Sequence, residues 1–109
     1  MSGIHEDTLI ALDLETTGVN AKSDHIIEVG AVKFQGGEQV DTLSLLVNPQ
    51  RKLSSFIVGL TGITQSDVDS APDWEDVKSE VADFIAGVPI IGHNVGFDAS
   101  FLRSHGVKP

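Results

Sequence analysis

The chain has 109 residues, 40% of them hydrophobic, no cysteine, and a formal net charge of −9 from 7 basic and 16 acidic side chains. That is enough for one small globular domain with a core, and it excludes disulfides, thiolate metal sites and cysteine nucleophiles. The acidic balance argues against a protein that coats nucleic acid by neutralising many phosphates, but not against one that grips a strand end where bound metal supplies the positive charge.

No stretch is long enough to span a membrane, and the N-terminus lacks the basic-then-apolar pattern of a signal peptide. The expectation is a soluble cytoplasmic protein with no membrane partner. Residues 1–6 read as a loose start. Residues 7–14 are predicted to form the first strand, with Leu9, Ala11, Asp13 and Glu15 on one face and Ile10, Leu12 and Leu14 on the other. Both faces are largely apolar, the pattern of a central strand covered on both sides. Asp13 and Glu15 project the same way because strand side chains alternate with period two. Two same-facing acids repel, which raises one pKa unless a cation lies between them.

After a loop from Thr17, residues 25–34 and 39–47 are predicted as two antiparallel strands joined at Gly36-Gly37, a good hairpin signal. Residues 51–59 show weak helical spacing through Leu53, Phe56, Ile57 and Leu60, followed by a tight apolar turn at 60–63. Thr64 and Asp67 resemble a capping box, so a short helix is expected from Thr64. The clearest helix covers residues 73–86, with Trp74, Val77, Val81, Phe84 and Ile85 in one stripe and Gly87 as its stop. Residues 88–91 make a short strand, 92–96 a turn, and 97–105 a second helix with Phe97, Phe101 and Leu102 inward. The acids Asp67, Asp69, Asp73, Glu75, Asp76, Glu80 and Asp83 face only Lys78, so that segment reads as a solvated outer face; Arg51, Lys52, Arg103 and Lys108 are the few candidates for phosphate contact. The order of elements predicts a mixed α/β sheet with flanking helices in one domain, residues 1–109.

If the first and fourth strands are parallel neighbours, their C-terminal ends lie together, where ligands gather in such sheets. Asp98 then joins Asp13 and Glu15 from the first turn of the following helix, a position worth about 0.3–1 kcal/mol to an acid through the helix dipole alone. Hard oxygen ligands without cysteine or a histidine pair favour Mg²⁺ or Mn²⁺ over Zn²⁺.

Asp13-Leu14-Glu15-Thr16-Thr17-Gly18 resembles the first motif of the DnaQ-like DEDD (DEDDh-type) 3′→5′ exonucleases, and His93-Asn94-Val95-Gly96-Phe97-Asp98 resembles their second. Residues 26–32 and 60–64 are similar to the family's second strand and its substrate-contacting turn. The resemblance implies an RNase H-like fold and removal of nucleotides from the 3′ end of single-stranded DNA or RNA. It implies that Asp13, Glu15 and Asp98 hold two metal ions as the catalytic acids. Thr16, Thr17, Gly18, Leu60, Thr61, Ile63, His93, Asn94 and Phe97 are the implied substrate-binding set. A polymerase, as in proofreading subunits similar to DNA polymerase III epsilon, and a helicase are the partner classes this leaves open.

The family also needs a fourth carboxylate from a third motif with a nearby His or Tyr as base, and no Asp or Glu follows Asp98. The expectation is therefore a partial domain, truncated before the last strand and helices, with an exposed edge and apolar face and poor activity in isolation. A non-catalytic module binding nucleic-acid ends or a partner is the alternative. A haloacid-dehalogenase-type phosphotransferase also begins with Asp-x-acid and Thr, but such sites usually carry Asp where Glu15 stands and have no use for residues 93–98. Among the remaining residues, His5 and His25 are expected to face solvent, His93 to be a turn histidine, His105 to close a helix, Glu28 to support the site without binding metal directly, and Trp74 to be core. Phe97 is expected in the core as well as the pocket wall.

Overall fold

The structure is a computed structural model that describes residues 7–109; the expected loose start and His5 lie outside them. Strands β1 (Thr8–Thr16), β2 (Ile26–Gln35), β3 (Glu38–Leu46) and β4 (Ile90–Ile91) form one sheet in the order β3-β2-β1-β4. Four helices complete it: α1 (Ser55–Thr61), α2 (Gln65–Asp69), α3 (Trp74–Ile85) and α4 (Val95–Ser104).

The β2–β3 hairpin turns at Gly36 and Gly37, with φ of 59° and 84°. Positive φ at both central residues matches the right-handed twist of the flanking strands, and glycine adopts it without strain. β1 pairs antiparallel with β2 and parallel with β4 through Ile10–Ile90 and Ala11–Ile91. The expected mixed sheet, with β1 and β4 as parallel neighbours, is therefore observed.

The main core lies between one sheet face and helices α3 and α4. Ile10, Leu12 and Leu14 meet Val29 and Ala31 from β2, Val77, Val81 and Ile85 from α3, and Phe101 and Leu102 from α4. Each of these side chains larger than alanine contributes about 1.5–3 kcal/mol by leaving water. A second cluster gathers Ile27, Leu53, Ile57, Ile63 and Val68. A β-bulge links the two: Glu15 pairs with Glu28 and Thr16 with Ile26, which leaves Ile27 as the extra residue. The bulge shifts the alternation by one residue, so Ile26 and not Ile27 joins Val29 and Ala31 in the main core.

Several expectations are corrected. β1 is covered on one face only: Leu9 is 37% exposed and Ala11 half-buried, because no described helix packs over that side. Residues 60–61 are the last turn of α1, not part of a tight turn. Ser54 caps the helix start through Ile57 N–H, and Gly62 ends it at φ 77°. Only Leu53 and Ile57 of the expected α1 stripe are buried; Phe56 and Leu60 are 72% and 68% exposed. α4 begins at Val95, two residues early, and β4 is reduced to two residues. α2 does start after Thr64, with both arms of the capping box formed by Asp67. Among the described residues no helix is long and apolar enough to cross a membrane.

Candidate active site

β1 delivers Asp13, which is exposed, and Glu15, which is half-buried, onto the face opposite the main core. Asp98 arrives from the first turn of α4 and is only 5% exposed. Its place is set by backbone chemistry. On the β4 side of β1, Ile10 N–H donates to Pro89 C=O at 2.9 Å. β4 has ended by the level of Leu14, and the Leu14 N–H donates to the Asp98 carboxylate instead. Asp98 thus satisfies a strand group that would otherwise be buried without an acceptor. Gly92 permits the approach, since a Cβ there would lie 2.8 Å from the Leu12 carbonyl oxygen and 3.7 Å from Asp98 Oδ2.

The three acids act on one another electrostatically. Burial, then the charges of Asp13 and Glu15, push Asp98 up to about 6, against the Leu14 hydrogen bond. Glu15 is also raised, by burial, by Asp13 and by Glu28, its cross-strand partner. Among the described residues no three His, Cys, Asp or Glu side chains are gathered closely enough to hold an ion as they stand. Mutually repelling carboxylates favour separated rotamers, and a divalent cation removes that repulsion. The donor set, all hard carboxylate oxygen, fits Mg²⁺ or Mn²⁺.

Beside Glu15 runs a groove lined by Leu14, Thr16, Gly18, Val19, Phe56, Ile57, Leu60, Thr61 and Phe97. Of the expected binding residues, Thr16, Gly18, Leu60, Thr61 and Phe97 meet there. Phe97 also packs on Phe101, ring centroids 4.8 Å apart, so it is both wall and core. Ile63 does not reach the groove; it is 7% exposed in the second core. The Thr17 hydroxyl is engaged within its own loop by Asp24 and His25. His93 lines a different concavity, on the open sheet face with Ala11, Gly30 and Thr42, and Asn94 is the exposed N-cap of α4. Exposed Phe56 and Val19 line the groove as well. Helical spacing predicts a buried Phe56, and Val19 follows a turn with no pattern to mark it.

His25 is half-buried, not solvent-facing: its ring lies edge-on to His105 at 6.2 Å. Burial, Arg51 and His105 lower its pKa, against Asp24. His105 caps α4 and stacks on Phe101 at 5.8 Å, and half-buried Trp74 donates its Nε1–H to the His105 carbonyl at 2.8 Å. Neither takes part in the carboxylate site.

The sequence pattern of the RNase T-type exonuclease family matches residues 10–107. The chain is 44% identical over 103 residues to the PolC-type DNA polymerase III of Caldanaerobacter subterraneus, and 42% identical over 100 residues to that of Bacillus subtilis. These matches cover 94% and 92% of the chain but 7% of either polymerase. Exonuclease X in complex with 5′-overhanging duplex DNA superposes with a TM-score of 0.74 at 29% identity, covering 93% of this chain and 55% of that one. The nuclease domain of 3′hExo, a DEDDh family member bound to rAMP, gives 0.74 at 27%, covering 91% and 57%. Product-bound exonuclease I gives 0.79 at 19%, covering 89% and 24%, and shares the fold. With its carboxylates at the ends of parallel β1 and β4 in an RNase H-like sheet, the chain belongs to the exonuclease family of RNase T type, whose DEDDh members are metal-dependent hydrolytic nucleases.

Proposed function

We propose that this chain is the metal-binding part of a 3′→5′ exonuclease that trims single-stranded DNA ends for a DNA polymerase III-type replicase in the cytoplasm, with Asp13, Glu15 and Asp98 as its catalytic acids. The observation that carries this is the burial of Asp98 against Leu14 N–H beside Asp13 and Glu15, next to an apolar groove. The polymerase relatives support DNA over RNA and a polymerase over a helicase.

Asp13, Glu15 and Asp98 would hold two Mg²⁺ or Mn²⁺ ions, which when bound activate water and stabilise the leaving 3′ oxygen. The protein's own part is placement. Leu60, Phe56 and Phe97 offer apolar surface to a terminal sugar and base, which suits end binding with little sequence preference. Thr16, buried beside Glu15, turns its hydroxyl to the Gly18 carbonyl at 2.6 Å and fixes the groove floor. His93 and Asn94, at the turn before α4, would border the strand from the other side of Asp13.

No acid follows Asp98, so binding is the stronger readout for these 109 residues and hydrolysis the weaker. The test is fluorescence anisotropy of a 5′-labelled single-stranded oligodeoxynucleotide with Mg²⁺ or with EDTA. Metal-dependent binding that Asp13→Ala abolishes is expected, with cleavage slow or absent. Binding that ignores both metal and Asp13→Ala would overturn the metal site. Cleavage at rates typical of enzymes would overturn the weak-hydrolysis expectation. Binding without any cleavage in a longer chain carrying a further acid would favour the non-catalytic reading.

A further inference from the structure

The loop after β1 is built around one carboxylate, Asp24. Its Oδ1 accepts from the Thr17 hydroxyl at 3.1 Å, and its Oδ2 accepts from the Asn20 backbone N–H at 2.9 Å. The loop closes on itself around this group: Asp24 N–H donates to Asn20 C=O at 2.7 Å, Thr17 N–H to His25 C=O at 2.8 Å, and His25 N–H to Thr17 Oγ1 at 2.9 Å. The carboxylate stands where a side chain on Gly18 would begin. A Cβ at Gly18 would lie 2.7 Å from Asp24 Cγ and 2.8 Å from Oδ1, closer than such atoms come. Gly18 has no positive φ to explain it. A side chain at Gly18 would have to displace the Asp24 carboxylate from its hydrogen bonds.

We propose that Asp24 is a positioning residue for the exonuclease site, acting through Thr17 and Gly18 on Thr16. The Gly18 carbonyl, held in place by the loop, is what the Thr16 hydroxyl bonds to, and Thr16 follows Glu15 directly on the strand. Gly18 and Val19 form the groove wall facing α1. Asp24 itself does not line the groove. Its effect reaches substrate through the shape of residues 16–19. The inference rests on the exonuclease reading for its consequence and on the loop's geometry for its cause.

The experiment combines Mg²⁺-dependent binding of the labelled oligodeoxynucleotide with amide hydrogen exchange at Asn20 and His25. The proteins are wild type, Asp24→Ala, Asp24→Asn, Gly18→Ala and the Gly18→Ala/Asp24→Ala double variant. Asp24→Ala should speed exchange at both amides and weaken binding roughly tenfold, the scale of one or two lost hydrogen bonds. Asp24→Asn should keep most of the affinity, since the amide oxygen can accept from Asn20 N–H while its NH₂ donates to Thr17 Oγ1. Gly18→Ala should bind at least as weakly as Asp24→Ala, and the double variant no more weakly than Asp24→Ala, because removing the carboxylate makes room for the methyl group. Faster exchange with unchanged binding would overturn the positioning role. So would an Asp24→Asn protein as weak as Asp24→Ala, or losses that simply add in the double variant. Wild type that binds no oligonucleotide with Mg²⁺ would overturn the exonuclease reading and the positioning role with it; the exchange data would still report separately on whether Asp24 locks the loop.

Discussion

Asp13 and Asp98, both assigned to the proposed site, are placed by opposite means. Asp13 stands exposed on a strand, where alternation alone decides which way it points. Asp98 is buried, and its position depends on three segments meeting: α4, which carries it; the Gly92 turn, which presses against β1; and Leu14, whose N–H it accepts. The first acid costs the fold little and is free to move. The second is held at the expense of burial and of repulsion from Asp13 and Glu15. The proposed site thus joins one buried carboxylate to an exposed and a half-buried one.

The largest break in that arrangement should come from Gly92→Ala. Its Cβ would meet the Leu12 carbonyl oxygen at 2.8 Å, a backbone atom that cannot swing aside as a side-chain end would. The turn would lift from β1 and carry Asp98 away from Leu14. A loss of about 1–3 kcal/mol in urea unfolding is expected, the usual cost of forcing atoms into a packed contact, together with loss of Mg²⁺-dependent oligonucleotide binding. Gly96→Ala, where a Cβ meets nothing within 4 Å, is the control and should leave both nearly unchanged.

That contrast also explains what the sequence disclosed. Period-two alternation identified β1 and the shared face of Asp13 and Glu15. Paired glycines identified the hairpin, a three–four stripe identified α3, and Thr64 with Asp67 identified the start of α2. Each is a local signal, carried within a few residues. The sequence could not disclose the bulge at Ile27, which arises from a register between two strands and puts Ile26 in place of Ile27 in the main core. Nor could it place Ile63 inside and Phe56 outside, since α1 is short and its weak stripe fits more than one face. Nor does any local pattern mark Asp24, because its carboxylate fills the space left by the missing side chain of Gly18. The open face of β1 escapes the sequence for a related reason: apolar residues on both sides predict a covered strand.

Asp98→Asn and Asp13→Asn sharpen the comparison at intermediate size. The unfolded chain releases the Asp98 proton near its ordinary value of 3.8, the folded chain near 6. The fold therefore binds more protons between those values and loses stability as pH rises through that window. In Mg²⁺-free buffer at pH 7, Asp98→Asn should raise stability by about 1 kcal/mol, since the neutral amide can still accept from Leu14 and is not repelled. Asp13→Asn, at an exposed position, should change it by less than about 0.5 kcal/mol. Added Mg²⁺ should raise the melting temperature of wild type and of neither variant, as expected when a ligand binds the folded state alone. Asp98→Asn that is destabilised without metal would show that the Leu14 bond needs the full charge.

The smallest effect should come from His25, on the other side of the loop that Asp24 organises. Burial, then Arg51 and His105, lower its pKa, so the folded chain holds this proton less readily than the unfolded one. Stability should then fall as pH drops below about 6.5, where the unfolded histidine begins to charge. That slope is opposite in sign to the one from Asp98 and overlaps it, so wild type alone would show a flattened profile. The Asp98→Asn background removes the larger opposing contribution, leaving that of Glu15, and should reveal the histidine slope; adding His25→Gln should remove the part of the slope that rises with pH. Urea unfolding from pH 4.5 to 8 in the three proteins separates the two. If the slope persists after His25→Gln, it belongs to another group and the edge contact between His25 and His105 carries no electrostatic cost.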